Sequence, residues 1–220
     1  MVSDQLRGSP TLDTLAIIVV VFCLQQAAGV LSALTPLNLF GLFVATPRGD
    51  PVTTVLSVYA HGGPGHLVGN ALALALVGFA LERATTRLRY HAFFLAAGIV
   101  SALAQVYATG GAVLGASGAI FALYGYVVTG NPVSRSVLDA VELPTWAQVG
   151  IFVAIAGGIT WLTASPGVAL VGHFAGLLFG LAAGRLRLLT LLLGDGANDR
   201  DDEYEFDAGS DWSTDEYEFR

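Results

Sequence analysis

Long apolar runs, broken by short clusters of arginine, glycine and proline, fill the chain from Thr11 to Leu193. Taken between their breakers, the runs predict six helices: Leu12 to Leu34, Gly65 to Leu81, His91 to Ala108, Gly115 to Thr129, Trp146 to Ala164 and Val168 to Leu189. Most hold about 16 to 23 residues, the length a helix needs to cross ~30 Å of hydrocarbon. The expected fold is all-α, a polytopic membrane protein whose six transmembrane helices form one bundle over residues 12–194. A short N-terminus (1–11) precedes it and a tail (195–220) follows. Span one passes for neither a short signal hydrophobic region nor a segment with a clear cleavage site, and is read as retained.

Span four is short, since fifteen or so residues at ~1.5 Å each reach only about 23 Å. Its outer end is therefore expected to start below the membrane surface. The preceding stretch, Thr109 to Leu114, would then be irregular backbone at membrane depth, tolerated only where protein or a wet cavity surrounds it.

Composition agrees with the pattern: 54% of residues are hydrophobic, 12% are charged, and the mean hydropathy is +0.66. A single cysteine, Cys23, excludes a disulfide framework or a thiolate metal cluster within the chain. No metal or other cofactor is expected. The net charge of −7 divides unevenly, with 6 acidic and 8 basic residues before residue 195 and 11 acidic and 2 basic after it. The acidity belongs to the tail, which repeats Asp-Glu-Tyr-Glu-Phe at 202–206 and 215–219 and reads as a disordered, solvating segment or a docking motif for a basic partner. No basic patch supports nucleic-acid binding.

Arginine is the sole basic residue type apart from histidine, and its positions set the topology. Arg7, Arg83, Arg87, Arg89, Arg135, Arg185 and Arg187 fall on one side of the spans and Arg48 on the other. The positive-inside rule then places both termini in the cytoplasm, with the chain in the cell membrane as a multi-pass protein.

Against this background, three polar clusters interrupt apolar helices near their outer ends, where such groups are costly enough to be functional candidates. Span two enters with His66 and Asn70, span four begins Gly115-Ala116-Ser117-Gly118, and span six enters with His173. A serine at the first turn of a helix has free backbone N–H groups beside it and a dipole that favours negative charge. Alone, Gly-Ala-Ser-Gly is equally a small-residue packing surface. His173 adds weight because Gly172, Gly176, Gly180 and Gly184 recur at a spacing of four, and Gly118, Ala122 and Gly125 offer a matching face on span four. Packed backbone to backbone, the two spans would bring His173 to Ser117 as a general base. Leucine at Gly176 is expected to part them, and leucine at Ala183, off the stripe, to be tolerated. No carboxylate lies near the outer ends of spans two to six, so the reading is a Ser-His dyad.

His66 and Asn70, four residues apart, share a helix face and can donate hydrogen bonds to an oxyanion; as a plainer reading they cap the helix or bind water. His61 is given only a capping role. Ser101 and Gln105 on span three can hold water for hydrolysis, the plainer reading being that they bond neighbouring helices.

Three motifs in order, His61-Gly62-Gly63-Pro64-Gly65-His66-Leu67-Val68-Gly69-Asn70, Gly115-Ala116-Ser117-Gly118-Ala119 and Gly172-His173-Phe174-Ala175-Gly176, resemble the rhomboid family of intramembrane serine proteases over about residues 52–187. The resemblance implies Ser117 as nucleophile, His173 as base, and His66, Asn70 and backbone amides at Ala116 and its neighbours as the oxyanion hole. It implies Ser101 and Gln105 as water-holding residues, and single-pass transmembrane proteins, cut near their outer ends, as substrates. Two features depart from the family pattern: the Trp-Arg pair of the first outer loop is missing from 34–57, and Phe121 stands where some relatives have tyrosine, able to stack on the histidine but not to hydrogen-bond it. Two rival functions are an inactive rhomboid-like binder of membrane segments, which typically lacks the serine or the histidine, and a small transporter, which favours polar groups along a continuous path.

Overall fold

The computed structural model describes residues 8–130, 144–162 and 168–189. Arg7, Arg135 and the acidic tail with its repeat lie outside the described residues. The elements in order are α1 (Pro10–Leu34), a 3-10 turn (Phe40–Phe43), α2 (Pro51–Tyr59), α3 (Pro64–Leu81) with a 3-10 turn after it (Glu82–Ala84), α4 (Arg87–Thr109), α5 (Ser117–Gly130), α6 (Thr145–Leu162) and α7 (Leu170–Arg185). Among the described residues there is no strand, only an isolated antiparallel bridge between Ala45 and Val113. The fold is a polytopic, all-helical membrane bundle.

Helix starts follow local chemistry. Pro10, Pro51 and Pro64 occupy first-turn positions where a missing N–H costs nothing, and the side chains of Ser9 and Asp50 accept from Leu12 N and Thr53 N. Gly110 ends α4 with φ 67°, its N–H donating to the Val106 carbonyl. Pro10–Leu34, Pro64–Ala84 and Arg87–Thr109 are long and apolar enough to cross a membrane; Ser117–Gly130 and Leu170–Arg185 are shorter apolar helices. Val19, Val20, Leu24, Val30 and Leu31 on α1, with Leu72 and Leu76 on α3, face outward. In water such a surface would drive aggregation, whereas in lipid it costs nothing.

At the end of the bundle away from Ser117, polar groups fasten α1 to its neighbours. Glu82 accepts from Ser9 Oγ at 2.7 Å and from Thr11 N at 3.1 Å, and Arg87 Nε pairs with Asp13 at 2.6 Å. At the other end the first loop holds the segment before α5 in place. Ala45 and Val113 exchange two backbone hydrogen bonds of 2.9 Å, and Gly115 N donates to Ser57 O at 2.8 Å. The irregular backbone expected at 109–114 is thus present from Gly110 onward, and Val113 has both of its backbone groups bonded to the first loop.

The closest pairing in the bundle joins α5 to α7. A Cβ built on Gly176 would collide with the Gly118 carbonyl oxygen, one on Gly180 with the Ala122 carbonyl, and one on Gly125 with the Leu177 carbonyl. Backbone therefore touches backbone along the length of the two helices, which is what a stripe of small residues permits. The connection between α1 and α3 contains the 3-10 turn and α2, both too short to register among six longer runs. One expectation needs correction. Ala183 is 2% exposed and belongs to the main core, so it is no neutral site for leucine.

Candidate active site

Three helix starts converge on one cleft of about 880 Å³, lined by His66 and Asn70 from α3, Gln105 and Thr109 from α4, Ser117 and Phe121 from α5, and His173 from α7. Ser117 opens α5, so the N–H groups of its first turn have no partner within the helix and point towards the cleft end. Immediately before it, Gly115 has φ 133°, a conformation that side-chain-bearing residues rarely adopt. That twist turns the chain from the Val113 bridge into the helix. Ala116, the residue between, is fully buried, and its carbonyl accepts Ile120 N at 3.0 Å.

His173 Nε2 lies 2.8 Å from Ser117 Oγ. The ring is 9% exposed and its Nδ1 makes no hydrogen bond to the described residues. What orients it is a face: Phe121, one turn along α5 from Ser117, stacks on the imidazole with ring centroids 4.4 Å apart and planes 21° apart. Below the pair a smaller cavity of about 20 Å³ is bordered by Ser57, Ser101, Gly118 and His173.

A model of the rhomboid domain matches residues 48–190. The chain belongs to the rhomboid family. A comparison with curated proteins finds no match. Membership brings this protein into a family of intramembrane proteases, and the matched segment contains every residue named so far in the cleft, while α1 lies before it.

The hydrogen bonds of His66 and His61 in this rhomboid assign their ring tautomers. Gly62 N donates to His66 Nδ1 at 3.3 Å, which leaves the hydrogen of a neutral His66 ring on Nε2. Asn70, 8% exposed, has its Nδ2 2.9 Å from His61 Nε2. His61 Nδ1 lies 3.1 Å from the Tyr59 carbonyl, which can only accept. Hence Nδ1 carries the hydrogen, Nε2 accepts from Asn70, and the second N–H of Asn70 has no partner among the described residues. The His61 ring belongs to the loop between α2 and α3, and burial, followed by the charge of nearby His66, lowers its pKa to about 4 against a weaker upward pull from Tyr59. It is neutral at pH 7.

Ser101 and Gln105 both make bonds within the protein. Ser101 Oγ donates to Ala97 O at 2.8 Å in its own helix, and Gln105 Oε1 accepts Gly172 N at 2.9 Å across to α7. Gln105 thus bonds a neighbouring helix, as the plainer reading has it, whereas the Ser101 bond stays within α4. Two further residues enter the site's surroundings. His61, read from sequence as a cap alone, is fully buried and bonded to Asn70. Gln25 on α1, also fully buried, accepts His61 N at 2.9 Å; its signal was a polar Gln-Gln pair inside an apolar span.

Proposed function

We propose that this rhomboid is an intramembrane serine endopeptidase in which Ser117 is the nucleophile and His173 its general base. The observation that carries the reading is the 2.8 Å contact between Ser117 Oγ and His173 Nε2 at the floor of an open cleft. A serine hydroxyl attacks only when a base takes its proton, and this distance is within reach for that transfer. Oγ adds to the carbonyl carbon of the scissile peptide while its proton moves to Nε2. Negative charge then develops on the carbonyl oxygen, where first-turn amides of α5, the backbone about Ala116, His66 Nε2–H and the free N–H of Asn70 are donors from one side of the cleft. His173 returns the proton to the departing amine, and water, activated by the same ring, releases the acyl group.

With no carboxylate bonded to His173 among the described residues, Phe121 limits ring rotation by stacking. The substrates fitting a cleft at the outer ends of apolar helices are transmembrane segments of single-pass proteins, entered from the bilayer and cut near their outer ends. The arrangement we propose for the whole chain has six spans in the cell membrane and both termini cytoplasmic. It rests on the gathering of Arg83, Arg87, Arg89, Arg185 and Arg187 at the helix ends away from Ser117.

A fluorophosphonate probe tests the reading together with cleavage of a model transmembrane substrate in the same membranes. Labelling of the wild type that is lost in Ser117→Ala, with cleavage lost in Ser117→Ala and His173→Ala, is the expected result. Substantial turnover by either variant, folded and inserted, removes the dyad. A wild type that neither labels nor cleaves leaves an inactive binder of membrane segments.

A further inference from the structure

Gln25 sits near the middle of α1, a helix outside the rhomboid match, yet its side chain is fully buried. An amide removed from water and lipid alike needs a partner to repay its desolvation. Its Oε1 has one, the backbone N–H of His61, 2.9 Å away and 36 residues along the chain, whereas its Nε2 has none among the described residues. His61 is in a non-helical stretch between Tyr59 and Pro64, where no ladder of backbone bonds would otherwise hold the chain. From that point the His61 ring reaches Tyr59 O with Nδ1 and Asn70 Nδ2 with Nε2.

We infer that Gln25 and His61 are positioning residues for Asn70, a relay by which α1 fixes the oxyanion donor of the protease reading on which this inference rests. A carboxamide can present either its oxygen or its nitrogen to a neighbour, and the two ends have opposite effects on an oxyanion. Because the Tyr59 carbonyl takes the Nδ1 hydrogen, His61 Nε2 is an acceptor, and only the nitrogen end of Asn70 satisfies it. The flip of the Asn70 amide is thereby set, and its second N–H is held at the cleft. Gln25 fixes the His61 backbone so that the ring keeps both contacts. Asn70 touches the reacting atoms in this account; Gln25 and His61 act only through it.

The two roles separate in kinetics. Gln25→Leu removes the acceptor at nearly constant volume, Gln25→Glu keeps an acceptor oxygen, and His61→Ala removes the contact to Asn70. Each is measured in the full chain, alone and combined with Asn70→Ala, on protein that remains monodisperse in detergent with wild-type helicity. Should Gln25→Leu not fold, Gln25→Asn, one methylene too short for the His61 N–H, takes its place. Asn70→Ala is expected to lower kcat about 10²-fold. Gln25→Leu and His61→Ala are expected to lower kcat about tenfold, the worth of one misplaced hydrogen bond, with KM little changed. Gln25→Glu is expected to restore most of the rate, and none of the changes to slow Asn70→Ala further. Losses that add to that of Asn70→Ala, or wild-type kcat in Gln25→Leu and His61→Ala beside a slow Asn70→Ala, overturn the relay alone. Wild-type kcat in Asn70→Ala overturns the relay by leaving it nothing to position, while activity surviving in Ser117→Ala overturns the protease reading beneath it.

Discussion

Gln105 Oε1 accepts the backbone N–H of Gly172, the residue next to His173, and so joins α4 to the first turn of α7. That amide is one of the orphans a helix start must satisfy, and a side chain from another helix does it here. Gln105 is therefore expected to set the entry angle of the histidine helix as well as, or instead of, holding water. Fluorophosphonate labelling distinguishes the two, because attack on the probe needs the dyad and no hydrolytic water. Gln105→Leu is expected to slow labelling about tenfold, one hydrogen bond's worth, and Gln105→Glu to slow it less. Normal labelling with impaired substrate turnover would assign Gln105 to water alone.

Gly176 faces the Gly118 carbonyl and the Ser101 hydroxyl with no room for a side-chain carbon. Membrane helices gain little from hydrophobic association, so this backbone contact fixes the spacing of α5 and α7. Gly176→Leu is expected to insert but lose most cleavage activity, since a separation of about an ångström exceeds what proton transfer over ~3 Å tolerates. Ala182, exposed on the same helix, is the control, and Ala182→Leu is expected to stay active. Equal activity of the two at matched expression would show that the seam does not position the dyad.

What the sequence made legible had simple physical causes. Apolar length against ~30 Å of hydrocarbon marks out the helices, and a four-residue glycine period marks the α5–α7 contact. The 2.8 Å approach of His173 to Ser117 follows from that contact. Legibility ended where partners come from distant loops. Neither the Ala45–Val113 bridge nor the Ser57 carbonyl that receives Gly115 has a periodicity to betray it. His61 is read as a cap because its bond to Asn70 depends on how the short stretch between α2 and α3 folds back on the first turns of α3, and nothing in the sequence pairs Gln25 with a residue 36 positions away.

The rhomboid match ends at residue 190, and the acidic segment begins at Asp195. Truncation after Gly194 is expected to leave cleavage of a minimal transmembrane substrate unchanged, since all dyad and cleft residues precede it. Loss of that activity in a correctly inserted, truncated protein would make the tail part of the catalytic machine.

Gly115 provides the sharpest test of local geometry, because two independent constraints meet on one atom. Its φ of 133° strains any residue with a Cβ, at a cost of about 1–3 kcal/mol. A Cβ there would also stand 2.9 Å from His66 Cε1 and 3.1 Å from Nε2, the ring atoms nearest the expected oxyanion. The backbone has little freedom to yield, since Gly115 N is bonded to Ser57 O and Val113 to Ala45 on the preceding turn. Gly115→Ala must therefore push His66 aside or untwist the entry to α5, and either change moves donors relative to Ser117. The expected outcome is a kcat at least tenfold lower, by the arithmetic of one lost or displaced oxyanion donor, with a lower thermal midpoint. Gly69, between His66 and Asn70 in the sequence of α3, is exposed and has nothing within 4 Å of a built Cβ and ordinary helical geometry. Gly69→Ala is expected to be neutral in rate and slightly stabilising, by about 0.5–1 kcal/mol of helix propensity. If the two alanine variants are equally active and equally stable, the tight turn at Gly115 does not govern the placement of the oxyanion donors.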